Sequence, residues 1–255
     1  MPTLESARAP YGVRLYAIGD IHGRLDLLRA VHARIAADLV SRRCERFRVI
    51  HLGDYIDRGP DSAGVVEHLV EFMRDGDAVC LRGNHDQFVP TFLADPVAAG
   101  EAWMRFGGDA ALASWGVDAS DMRLRSMRAL RDAFAEALPS RHRSFFDALP
   151  HFELHGDYLF VHAGLRPGVP LTRQRPADMM TIREPFLSSS ADFGLVIVHG
   201  HTTVPEPVLR PNRVQIDTKA WSSDRLTCLV LEGAEKGFLE PDGYAPLSRA
   251  ALCPA

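Results

Sequence analysis

Short apolar runs alternate with segments of helical period over the first eighty-odd residues, and each run ends on glycine followed by an acid or an amide. Leu15–Ile18 runs into Gly19-Asp20, and Arg24–Leu39 then carries apolar residues at Leu27, Leu28, Val31, Ile35 and Leu39. Phe47–Leu52 runs into Gly53-Asp54 and leads to Val65, Val66, Leu69, Val70 and Met73. There Pro60 turns the chain, and Asp61 or Ser62 can cap the helix. Ala78–Leu81 runs into Gly83-Asn84. Strands alternating with amphipathic helices predict an α/β fold with a parallel βαβ core. In such sheets ligands gather beyond the carboxyl ends of the strands, where these Gly-Asp and Gly-Asn pairs stand.

The rest of the chain departs from that rhythm. Residues 87–150 read as a helical insertion, with helix-like stretches at Asp121–Leu138 and His142–Leu149 and an aromatic-rich segment around Trp103-Met104-Arg105-Phe106. Strands are expected again at His151–Leu154, Tyr158–His162, Leu195–His199, Arg213–Ile216 and Arg225–Leu231, in an antiparallel or mixed arrangement. Leu165–Ser190, punctuated by proline and serine, reads as a long functional loop. A chain of 255 residues, 46% of them hydrophobic, can bury one large core, so residues 1–255 are expected to form one domain carrying that insertion.

Charge narrows the partners. A formal net charge of −4 lacks the basic footprint of a nucleic-acid binder, so no nucleic acid is expected. Apolar stretches fall short of membrane-spanning length, and the first residues lack a cationic start with an apolar core. A cytoplasmic protein with no membrane partner is the expectation, and oligomeric state stays open. Cys44, Cys80, Cys228 and Cys253 show no CxxC spacing and read as free thiols.

Five motifs carry the chemistry: Gly19-Asp-Ile-His-Gly23, Gly53-Asp-Tyr-Ile-Asp-Arg-Gly59, Gly83-Asn-His-Asp86, His162-Ala-Gly164 and Gly200-His-Thr202. Each follows a strand-like run, so Asp, Asn and His side chains converge at one end of a sheet. That donor set suits two hard or borderline metal ions. Asp and Asn also cap strand-to-helix turns routinely, and it is the ordered set of five that favours the metal reading.

This ordered series resembles the phosphoprotein-phosphatase branch of the calcineurin-like metallophosphoesterases, nearest the short bacterial and phage serine/threonine phosphatases. The resemblance covers most of the chain and implies a four-layer α/β/β/α sandwich with a dinuclear centre. By position, Asp20 and His22 would hold the first metal, Asp54 would bridge, and Asn84, His162 and His201 would hold the second. The ions would be Mn²⁺, with Fe or Zn²⁺ as alternatives. A metal-bridging hydroxide would attack phosphorus directly. His85, oriented by Asp57, would protonate the leaving group. Arg58 and Arg183 would grip phosphate oxygens. The family segment around Arg183 usually carries a Trp where this chain has Thr181-Ile182.

The implied activity is a protein serine/threonine phosphatase acting on phosphoproteins or phosphopeptides. The alternative is symmetrical hydrolysis of diadenosine tetraphosphate. Asp57 favours the phosphoprotein, because those nucleotide hydrolases tend to lack it and an anhydride leaves with less need of an acid. A metal-free binding scaffold is disfavoured, since every expected ligand position holds a competent residue.

Outside the motifs, His199 reads as a packed neighbour of His201. Asp86 reads either as a support for the ligands or as a helix N-terminal acid. His32, His51, His68, His142, His151 and His155 read as surface or satisfied core. The arginines between Arg123 and Arg143 read as a solvated helical face. Trp103, Phe106 and Trp115 read as core of the insertion rather than a base-stacking platform. Lys219, one of only two lysines, stands where relatives carry glycine in Asp-Thr-Gly-Ala, and is expected to add positive charge at the mouth.

Overall fold

The computed structural model describes residues 2–120 and 126–252. In the first sheet, β1 (Val13–Ile18), β2 (Arg46–His51) and β3 (Ala78–Cys80) pair in parallel. They are joined by α1 (Leu25–Ser41) and α2 (Ser62–Phe72). Asp61 caps α2, its Oδ1 accepting from the Gly64 amide at 2.8 Å. The second sheet contains β4 (Phe152–His155), β5 (Tyr158–Val161), β6 (Val196–His199), β7 (Val208–Arg210) and β8 (Arg213–Gln215), in the order β4-β5-β6-β8-β7. Within it β5, β6 and β8 are parallel. The chain then returns to the first sheet as β9 (Cys228–Glu232), β10 (Glu235–Glu240) and β11 (Gly243–Pro246), antiparallel additions beside β1.

Side-chain alternation along the strands makes the layers, because successive residues point to opposite faces. Leu15, Ala17, Ile50 and Leu52 of the first sheet pack against Tyr158, Phe160, Val198 and Val214 of the second. Tyr16, Ile18 and Val49 face the other way, onto Leu28, Val31 and Ile35 of α1 and Val65 and Leu69 of α2. Leu159, Val161 and Ile197 form the outer face of the second sheet and are covered by Met179, Ile182 and Phe186. Each fully buried Val, Leu or Ile among these contributes about 1.5–3 kcal/mol. The result is the α/β/β/α sandwich, its last layer made by a short helix (Pro176–Thr181) and loops.

Between β3 and β4 the described residues are helical. They form α3 (Phe88–Ala94), α4 (Pro96–Arg105), α5 (Gly108–Ser114), α6 (Met127–Ala137) and α7 (Ser140–Ala148). The expected helix at Asp121–Leu138 begins at Met127; residues 121–125, Arg123 and Arg125 among them, lie outside the described residues. Three strands were not foreseen. β7, β10 and β11 are rich in charge, glycine or proline and lie toward sheet edges, where such residues are tolerated. None of the described helices is long and apolar enough to cross a membrane. Cys44, Cys80 and Cys228 are free thiols, and Cys253 lies outside the described residues.

Candidate metal centre

The two parallel triplets, β1-β2-β3 and β5-β6-β8, bring five motifs to adjacent strand ends. Asp54 sits between them. Ligand atoms of His22, Asp54 and His85 lie within 4.8 Å of one another, as do those of Asp54, His162 and His201. The loops meet closely enough to exclude side chains. A Cβ on Gly53, whose φ is +110°, would lie 2.6 Å from the Gly83 amide nitrogen and 2.9 Å from His162 Nδ1. Positive φ also occurs at His22, Asp54, Asp57, Arg58, His201 and Lys219, which leaves Asp224 as the one such non-glycine residue elsewhere among the described residues. Such conformations cost on the order of 1–3 kcal/mol each and persist where the surroundings enforce them.

Hydrogen bonds fix which imidazole nitrogens are bare. His22 Nδ1 donates to the Ile56 carbonyl at 2.7 Å, so its Nε2 is a lone pair, 3.5 Å from Asp54 Oδ2. His162 Nδ1 donates to the Leu52 carbonyl at 3.0 Å. Its bare Nε2 then faces Asn84 Oδ1 at 3.1 Å and Asp54 Oδ1 at 3.4 Å, three acceptors with no hydrogen among them. His201 Nε2 is buried with no hydrogen-bond partner. Burial holds His22 and His201 down to about 3 and lowers His162, so all three stay neutral, the form that binds metal.

The carboxylates point the same way. Burial would raise the Asp54 pKa, but the surrounding His162, His85, His22 and His201 outweigh it and hold this acid below its ordinary value. Asp20 is raised, by burial first and then by the charges of Asp217 and Asp54. Burial also pushes Asp217 up to about 6. Acceptors converging on bare nitrogens, with like charges pressed together in the dry, are what divalent cations between them would resolve. The residues present therefore fit the expected pair of ions.

His85 is arranged differently, because its ring hydrogen-bonds a carboxylate. Nδ1 lies 2.6 Å from Asp57 Oδ2, and Nε2 lies 3.0 Å from Arg58 Nη2. Arg58 also donates through Nη1 to His22 Nε2 at 3.0 Å. Burial opposes protonation of His85, but the Asp54 charge, the hydrogen bond with Asp57 and the Asp57 charge together raise its pKa. Arg183 reaches the same cleft from the loop pinned by buried Ile182 and Phe186.

Three contributors went unrecognised or unresolved in the sequence. Trp103 is core, as expected, yet its Nε1 also donates to Asp57 Oδ1 at 2.8 Å. Asp86 is a staple: its carboxylate accepts from the amides of Gly83, Asp54 and Tyr55 at 2.8, 2.8 and 2.9 Å, tying the β2 loop to the β3 loop. Asp217 follows β8, a sixth strand end, and accepts from the Lys219 amide at 2.9 Å. An apolar run before an acid was the available signal at Asp217. Nothing local marked Trp103.

Some expectations need correction. Phe106 is 52% exposed and is not core; it lines the cleft. His151 is not satisfied, since its buried Nδ1 has no partner. His199 packs edge-on against Phe186, as a neighbour rather than a member of the cluster. His142 is partnered by Glu67 and Trp115. Arg131 pairs with Asp132, and Arg141 pairs with Glu67.

The sequence model of the calcineurin-like phosphoesterase family matches residues 13–228. The chain belongs to this family. Among its calcineurin-like relatives is the asymmetrical bis(5'-nucleosyl)-tetraphosphatase PrpE of Anoxybacillus flavithermus, 27% identical over 229 residues, which cover 83% of this chain and 88% of that protein. Serine/threonine-protein phosphatase 1 of Salmonella typhimurium is 30% identical over 95 residues, 37% of this chain and 39% of that one. A solved cold-active protein tyrosine phosphatase shares the fold with a TM-score of 0.63 at 16% identity, covering 96% of this chain and 83% of that one.

Proposed function

We propose that this phosphoesterase hydrolyses a phosphoanhydride bond of bis(5'-nucleosyl) tetraphosphates. One observation carries the reading. A cleft of about 590 Å³ beside the His/Asp cluster is lined by Arg58, Arg105, Arg183 and Lys219, with Phe106 and Trp221 in its walls and no acid among the lining residues. In a chain of net charge −4, that concentration of cations is a local exception. It exceeds what a single phosphomonoester needs and suits a chain of phosphates. The tetraphosphatase relative spans most of both chains, whereas the protein-phosphatase relative matches a little over a third. That reverses the order drawn from Asp57 alone.

Asp20, His22, Asp54, Asn84, His162 and His201 would hold two divalent ions, and a set of oxygen and imidazole donors without thiolate suits Mn²⁺, Fe or Zn²⁺. When bound, such ions polarise phosphoryl oxygens and make water acidic. Arg58 and Arg183 orient the phosphoryl group and offset charge on its oxygens. His85 is placed to give a proton to the departing oxygen, and Asp57 holds the imidazole for that task. Asp86 keeps the two ligand loops in register.

The same dyad favours a second reading, a phosphoprotein substrate, because an alkoxide leaves poorly without an acid. Comparing kcat/KM on diadenosine tetraphosphate and on a phosphoserine peptide separates the two. A peptide preference of tenfold or more overturns the first reading. Chromatography of the nucleotide products (two ADP, or AMP with ATP) distinguishes symmetrical from asymmetrical cleavage.

A further inference from the structure

We infer that Phe106 is a nucleobase platform, stacking the base nearest the leaving group of a nucleoside polyphosphate. The inference rests on the nucleotide reading above and specifies how that substrate is held. Phe106 stands at the end of α4, half exposed at the mouth of a charged cleft. It is the outer member of a ladder of rings. Phe106 stacks on Phe88 with centroids 5.9 Å apart and planes at 29°, and Phe88 stacks on buried Trp103 at 6.4 Å and 12°. A planar group on the open side would extend that ladder.

Its position is held from below. Gly107, at φ +96°, accepts from the Arg58 amide at 3.4 Å, and a Cβ there would lie 2.9 Å from the Arg58 nitrogen. The ring therefore stays beside Arg58. It also meets His85 edge-on at 5.9 Å, which places it on the side where His85 would protonate the departing group. Trp221 is the weaker candidate, since its ring already lies against Lys219 Nζ at 4.9 Å and Arg58 Cζ at 5.5 Å. Cations for the phosphates and one open aromatic face for the base are the complement of a nucleotide. Stacking on an aromatic ring accepts any base, so adenine and guanine nucleotides should both bind.

The test is competition against turnover of β-glycerol phosphate, whose product carries no ring, by metal-loaded enzyme in excess free divalent ion. The competitors are ATP, GTP and inorganic triphosphate. In the unaltered protein the nucleotides should inhibit about tenfold more tightly than triphosphate, the size of one base–aromatic stack. Phe106→Ala should bring that ratio near one, and Phe106→Trp should keep or raise it. A ratio unchanged in Phe106→Ala overturns the platform, as does loss of the ratio in Phe106→Trp. The nucleotide reading fails separately, if the unaltered enzyme prefers the phosphopeptide to diadenosine tetraphosphate whatever the competition ratio shows.

Discussion

Two groups of buried histidines lie within this chain, and their hydrogen bonding is opposite. Away from the strand ends, His51 Nδ1 donates to the Val79 carbonyl at 3.2 Å, which leaves its Nε2 to accept from His32 Nε2 at 2.9 Å. His32 Nδ1 in turn accepts from His68 Nε2 at 2.9 Å, so the lone pairs of His51 and His32 each meet an N–H. At the strand ends, His162 Nε2 instead faces the oxygens of Asn84 and Asp54, His201 Nε2 meets no partner, and His22 Nε2 accepts from Arg58 while lying 3.5 Å from Asp54 Oδ2. Burial and residue type are shared. The first group is linked ring to ring, whereas the second gathers its imidazoles around the shared Asp54 carboxylate, and that convergence marks the site, since His151 and His199 also carry an unpartnered nitrogen away from it.

The largest expected effect breaks the second group. Asp54→Asn removes the carboxylate that both clusters share and puts an N–H where a ligand oxygen was. Bound metal should fall, and turnover should drop by about 10⁴-fold or more, beyond the roughly 10²–10⁴ that loss of one proton-transfer group costs. Metal analysis of purified protein and kcat check both. Full turnover with a single ion per chain would refute the shared-carboxylate arrangement.

Trp103→Phe sharpens the contrast within the strand-end group, because His85 alone there hydrogen-bonds a carboxylate through its ring, Asp57 at 2.6 Å. The substitution keeps the ring in the ladder but deletes the donor to buried Asp57. Losing a hydrogen bond to a charged group costs about 1.5–3 kcal/mol, or roughly ten- to a hundredfold. The loss in kcat should appear with poor leaving groups such as alkyl phosphates and be small with p-nitrophenyl phosphate, while metal content stays the same. Equal losses on both substrates would mean that Trp103 only supports packing.

The self-satisfied group has a consequence in pH. Burial is the main cause lowering His32, His51 and His68, with His51 held down to about 4. The folded chain therefore leaves these rings neutral where the unfolded chain, with pKa near 6.5, takes up protons. Stability is full above about pH 6.5 and falls as pH drops, by up to about 1.4 kcal/mol per pH unit for each fully buried ring. Urea midpoints of metal-free protein should decline between pH 6.5 and 4, and His32→Gln should reduce that slope by up to one proton. An unchanged slope in His32→Gln would show that His32 carries none of the acid sensitivity.

What could be read in the sequence follows from how local each signal is. Leu15–Ile18 with Gly19-Asp20, and its two repeats, are local patterns of apolar period and turn residue, so β1, β2, β3, α1 and α2 were legible. The second sheet followed from resemblance, because β4 to β8 are short and their pairing is long-range. Residues of the cluster could be named because they stand in five short motifs at strand ends whose order resembles that of a known family. Trp103 and Phe106 were not legible as members of the site, since their roles depend on how α4 lies against Asp57 and Arg58, 46 and 48 positions earlier in the chain. A hydrophobic residue in a helical segment gives the same local signal whether it ends in the core or at a cleft.

Lys219 is expected to give the smallest effect, and it tests whether charge at the mouth acts apart from both histidine groups. Its φ of +60° is the left-handed region that favours glycine, and its exposed ammonium lies against Trp221 at the cleft. Lys219→Gly thus does two things of opposite sign. It relieves backbone strain, so the thermal midpoint should hold or rise slightly. It also removes one solvent-exposed cation, worth about 0.2–1 kcal/mol, so KM for diadenosine tetraphosphate should rise about two- to fivefold at low salt. Screening lengths shrink from about 10 Å at 0.1 M to about 3 Å at 1 M, so that difference should vanish in concentrated salt while kcat stays level. A KM that is unchanged at low salt, or a difference that persists at high salt, would leave Lys219 as an exposed lysine with no part in drawing the substrate in.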